Sequence, residues 1–158
     1  YHFPSKEKIL NALVLRIVGQ VEQRAREIAA SSSPAVDKLM AIMATMRVKE
    51  TETELVEQFH APGNAEFHLL SITAMIEHLT PVLTDVVTQG VREGFFTTSR
   101  PYDAIELLLS ASGILLDHDI LDTGPDELSR RRNSLIWATE TLLGARPGSL
   151  SILMEADS

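Results

Sequence analysis

Between Asn64 and about Glu93, the residues Phe67, Ile72, Met75, Ile76, Leu79, Val82, Leu83, Val86, Val87 and Val91 recur every three or four positions. That spacing gathers them on one side of an α-helix, in a stripe broad enough to need cover from several neighbours. A chain holding such a segment folds around it as a central helix. Pro81 lies inside the segment, where its missing N–H and its ring predict a kink about one turn upstream. Asn64, just after Pro62 and Gly63, is placed to cap the start.

The rest of the chain offers helices to cover that stripe. Ser5 precedes Ile9, Leu10, Leu13, Val14, Ile17 and Val21 at helical spacing, which predicts a helix over Lys6–Ala29. Its far end, mostly polar after Gln20, is expected to face solvent. Ser33 as cap and Pro34 as first helical residue predict a second helix carrying Met40, Met43 and Met46. A third, short and acidic, is expected over about residues 50–60, with Leu55, Val56 and Phe59. After a loop at 94–100, Pro101 opens a helix running to about His118, and Pro125 opens a last one ending near Gly144. Ala111, Ser112 and Gly113 would let another helix approach closely, and the tail around Pro147 and Gly148 is expected to be loosely held. No alternating strand pattern or hairpin turn interrupts this series, so the fold class is all-α, a bundle of about six helices.

Composition narrows what such a bundle can do. A chain of 158 residues at 44% hydrophobic content can bury one core. With 14 Lys and Arg against 22 Asp and Glu, its net charge of −8 repels a polyanion, so this chain by itself is not expected to bind DNA. The lack of cysteine excludes disulfides and thiolate zinc sites and fits a reducing compartment. No apolar run approaches the roughly 18 residues of a membrane span, and a soluble, cytoplasmic protein is expected.

Two short motifs carry a family resemblance. The opening, Tyr1-His2-Phe3-Pro4-Ser5-Lys6-Glu7, resembles the end of the helix-turn-helix in TetR-type transcriptional regulators, where the recognition helix closes on Tyr-His-Phe and a turn with Lys leads into the regulatory domain. Gln89 to Phe96, reading Q-G-V-R-E-G-F-F and followed by Ser99-Arg100-Pro101, is similar to the middle of that family's regulatory domain. The order of elements fits over nearly the whole chain. The resemblance implies that residues 1–5 are the remnant of a DNA-binding motif whose first ~40–50 residues are absent. It further implies that residues 6–146 form a ligand-binding and dimerisation domain, with 147–158 as a C-terminal tail. Tyr1, His2 and Lys6 would touch the DNA backbone, and only together with the missing domain. Operator DNA, a homodimer partner and a small effector are the implied partners, without a cofactor, and repression is the implied activity.

The last two helices bear more apolar surface than one flank of a small monomer needs. A homodimer through a four-helix bundle is expected, with Leu108, Ser112, Leu115, Leu128, Leu135 and Leu142 at the interface. For the effector, Met40, Met43, Phe59, Phe67, Ile72 and Met75 would make a deformable apolar cavity, with His68 as its polar contact, suited to a hydrophobic or amphipathic molecule. An ordinary core accounts for any single Met among these, and a satisfied core histidine accounts for His68. The competing reading is a small metal-dependent enzyme using His60 and His68, with Glu57, Glu66 or the run Asp117-His118-Asp119. Pro62 and Gly63 break the helix between the two histidines, which argues against it. Arg130, Arg131 and Arg132 spread around a helix and suit a solvated face or a subunit-edge ion pair. No catalytic motif stands out.

Overall fold

The computed structural model describes residues 6–47, 65–117, 120–122 and 124–151. Among them are five helices: α1 (Lys6–Ala29), α2 (Ala35–Arg47), α3 (Ala65–Arg92), α4 (Pro101–Leu115) and α5 (Pro125–Leu143). The short acidic helix expected over 50–60, with Phe59 and His60, lies outside the described residues, as do Tyr1 and His2.

The helix α3 is central, and α1, α2 and α4 all pack on it. Its Leu79, Val82, Leu83, Val86 and Val87 form the main core with Val21 and Ala25 of α1, Leu39 and Ile42 of α2, Phe96, and Ile105 and Leu109 of α4. Burying each such aliphatic side chain contributes about 1.5–3 kcal/mol. By length and apolarity alone α3 could cross a membrane. Its packing is that of a core helix, with one solvated edge of Glu77, Pro81 and Asp85. The helix continues through Pro81, which is exposed, so the carbonyl its ring leaves without a partner can face water.

The helices α1 and α3 run parallel. Leu10 and Phe67 share a cluster near their starts, Glu22 bonds His78 midway, and Lys38 bridges Ala29 and Gln89 at the far ends. The far end of α1 is expected in solvent. Val21 closes the expected apolar face and is buried, but Ala25 is buried as well, because single small residues spaced a turn apart keep an apolar line among Gln23, Arg24 and Glu27.

A buried lysine organises the α1–α2 corner. Lys38 is 5% exposed, and its Nζ donates to the Ala29 carbonyl and to Gln89 Oε1, both at 2.8 Å. Gln89 Nε2 in turn donates to the Ser33 carbonyl and to Glu93 Oε1. Glu93 Oε2 accepts the N–H of Ala35, the first residue of α2, at 2.9 Å. The start of α2 is therefore capped by Glu93, just past the end of α3, rather than by Ser33, one residue later than the sequence suggested.

The helix α5 is anchored at its end. Leu143 is fully buried and its carbonyl accepts the N–H groups of Thr97 and Thr98 at 3.0 and 3.1 Å. Glu140, also buried, accepts the N–H groups of Gly148 and Leu150 at 2.9 Å each. Leu150 is buried as well, so the tail starts out docked. Its Pro-Gly turn reads as loose, but the buried carboxylate ten residues upstream holds it.

Candidate functional site

The first turn of the fold's central helix carries one member of a buried polar pair. His68, 5% exposed, sits beside Phe67, whose ring meets it edge-on with centroids 5.8 Å apart. Its Nδ1 lies 2.7 Å from Oδ2 of Asp117, just beyond the end of α4, whose side chain is 18% exposed. Asp117 Oδ1 accepts the N–H of Ile120 at 3.0 Å. A histidine on an apolar stripe is thus satisfied across two elements, a pairing that helical spacing alone cannot reveal. Asp117 stood in the sequence only as a candidate metal ligand.

The other expected pocket residues are placed as follows. Met75 packs against both apolar clusters, one holding Phe67 and the other flanked by Met43. Met40 is partly buried on α2. Ile72 lies against Gly113 of α4, where a Cβ would come within 2.9 Å of Ile72 Cγ2, so the small residue at 113 serves α3 of the same chain. Phe67, His68, Met75 and Met43 are therefore brought into neighbouring clusters, and Phe59 is outside the described residues. Among the described residues no group of three His, Asp or Glu is arranged to hold a metal ion, and His60 lies beyond them.

A second feature lies on the α4–α5 hairpin. In the single chain only Glu140 and Leu143 of α5 are buried, although the helix has 19 residues. Trp137 is 68% exposed and Leu142 38%, while Leu107 on α4 is 59% exposed. Of the expected interface residues, Leu108, Ser112, Leu115, Leu128 and Leu135 are partly buried and Leu142 is exposed. Arg131 reaches back from α5 to the Leu115 carbonyl at 3.2 Å and to Glu127, tying the α4–α5 hairpin together. Arg130 is exposed and pairs with Glu127 at 2.6 Å, which holds that carboxyl down at about 2.

Glu22 links α1 to α3 through His78 at 2.5 Å and receives Arg26 at 2.7 Å. The His78 hydrogen bond first, and then Arg26, lower its pKa below the ordinary 4.5. Glu93 is lowered too, by Gln89 first and the Ala35 N–H second. A carboxylate with a depressed folded value contributes stability above its unfolded value and loses it as pH falls through the folded one. Melting temperature is accordingly expected to fall as pH drops below about 4.5. The Glu22→Gln variant should show a shallower acid limb in the same calorimetric series, and an identical limb would remove Glu22 from the account.

Comparison with known proteins agrees with this architecture. Residues 47–135 match the family described as Tetracyclin repressor-like, C-terminal domain. No curated protein matches the chain.

Proposed function

The chain belongs to the tetracycline-repressor-like C-terminal domain family, a family of transcription regulators, and on that premise we propose that it is the effector-binding and dimerisation part of a TetR-type repressor. The observation that carries the reading is the family match, which covers all of α3 and α4. The effector is small and mainly apolar. It lies against Met40, Met43, Phe67, Ile72 and Met75, with His68 as polar contact. Methionine walls adapt to irregular apolar shapes, and a buried imidazole orients one polar group.

Two subunits associate through α4 and α5. The partly buried Leu108, Ser112, Leu115, Leu128 and Leu135 and the exposed Leu107, Trp137 and Leu142 supply apolar surface for a second copy. An effector that favours one arrangement of the helices shifts the population toward it, and α1 conveys the change to the DNA-binding part of each subunit. Moving two such parts away from a separation of about 34 Å, one turn of DNA, weakens operator binding.

Phenylnaphthylamine, a neutral fluorescent apolar probe, tests the site. Its affinity for His68→Ala is expected to be about ten-fold weaker than for the unmodified protein. A purely structural His68 would instead lower the melting temperature and leave probe affinity unchanged, and that outcome removes His68 from the site.

A further inference from the structure

Resting on the reading just given, we propose that Asp117 is the positioning residue for His68, and that the pair is the joint through which the effector site acts on the dimer-forming α4–α5 hairpin. The two residues belong to different parts of the fold. His68 lies in the first turn of α3, and Asp117 lies in the turn that leads from α4 toward α5. An ionised carboxylate can only accept, so His68 Nδ1 carries the proton and donates it across the 2.7 Å contact. This fixes both the tautomer and the plane of the ring.

Asp117 is itself part of the turn's frame. Its Oδ1 accepts the Ile120 N–H at 3.0 Å and its carbonyl accepts the Leu121 N–H at 3.1 Å. Two residues before it, the Leu115 carbonyl receives Arg131 of α5. A shift of the His68 ring therefore has a hydrogen-bonded route into both helices of the hairpin. An apolar contact one turn away on each helix sets the same register: Ile72 follows His68 by four residues, Gly113 precedes Asp117 by four, and the two are in close contact. One polar and one apolar contact, a turn apart, make the start of α3 and the end of α4 move together. Packing alone does not call for this arrangement, because a buried His–carboxylate pair has a desolvation cost that two apolar residues would avoid.

Sedimentation equilibrium, together with nitrogen NMR of the histidine rings, tests the joint in the unmodified protein, Asp117→Asn and Glu22→Gln. Asparagine keeps the size of Asp117 and an oxygen for Ile120, but turns an amide N–H toward His68 and so forces the other tautomer. Glu22→Gln makes the matching change at the His78 pair, which faces α1 instead of the hairpin. The expected result is a His68 ring protonated at Nδ1 in the unmodified protein and at Nε2 in Asp117→Asn. The dimer dissociation constant should change at least about five-fold in Asp117→Asn and less than about two-fold in Glu22→Gln. A switched tautomer with an unchanged dimer constant overturns the joint and leaves the dimer standing. Equal changes in both variants overturn it as well, since they report general loss of stability. A monomeric unmodified protein removes the dimer reading, and this inference with it. Should Asp117→Asn fail to fold, His68→Leu takes its place: a shift of about five-fold again supports the joint, and an unchanged constant overturns it.

Discussion

Replacing Trp137 with glutamate is expected to break the proposed dimer into monomers at about 10 μM, with the dissociation constant raised at least about 100-fold. Trp137 is 68% exposed in the single chain and lies on α5, a helix that buries only Glu140 and Leu143 within its own subunit. An aromatic side chain of this size carries a large apolar area, and aromatic anchors near the centre of an interface account for most of its binding energy. A carboxylate in the same place would have to shed its water without a partner. Because Trp137 makes little contact within the subunit, the variant should stay folded and helical, which circular dichroism can verify. Sedimentation showing the variant still dimeric would move the interface away from α5.

The second large effect is expected at Gly144. It closes α5 in the left-handed conformation, φ 65°, and a Cβ there would overlap Thr97 Oγ1 and come within 3.2 Å of the Thr97 backbone nitrogen. A β-branched residue in that conformation is strained by about 1–2 kcal/mol before any clash. Thr97 has little freedom to retreat, since its N–H is held by the Leu143 carbonyl. Gly144→Val is therefore expected to cost about 3 kcal/mol or more, lowering the melting temperature by roughly 10 °C. Gly19 makes a control of opposite sign: it is within α1 and nothing lies within 4 Å of an added Cβ. Gly19→Ala should stabilise by about 0.5–1 kcal/mol. Equal melting temperatures for Gly144→Val and the unmodified protein would contradict the assigned end of α5.

What could be read from residue order was whatever leaves a local periodic trace. The stripe from Phe67 to Val91 announced the central helix, and Pro101, Pro125 and Gly144 marked helix ends, because these act through backbone geometry within a turn of themselves. Contacts between residues far apart in the chain left no such trace. Glu93 capping Ala35, 58 residues away, and Glu140 holding Leu150 depend on which helices become neighbours. The burial of Ala25 was hidden for a related reason, since polar neighbours dilute a narrow apolar line. The candidate site was half legible in the same way. His68 stood out by lying on an apolar stripe, whereas Asp117 became its partner only once α3 and α4 were packed together.

The central proposal is that this chain is the regulatory part of a TetR-type repressor and does not by itself grip DNA. Selection from a genomic duplex library, run in parallel on the proposed full-length repressor, this chain joined to a helix-turn-helix domain, and on the 158-residue chain, measures this directly. The account predicts that the full-length product retains one family of related duplexes with a dissociation constant of about 10⁻⁸ M or tighter. It predicts that the chain alone, at a net charge of −8, retains none of them. A full-length product that selects no sequence, or a 158-residue chain that binds the same duplexes as tightly, would contradict it.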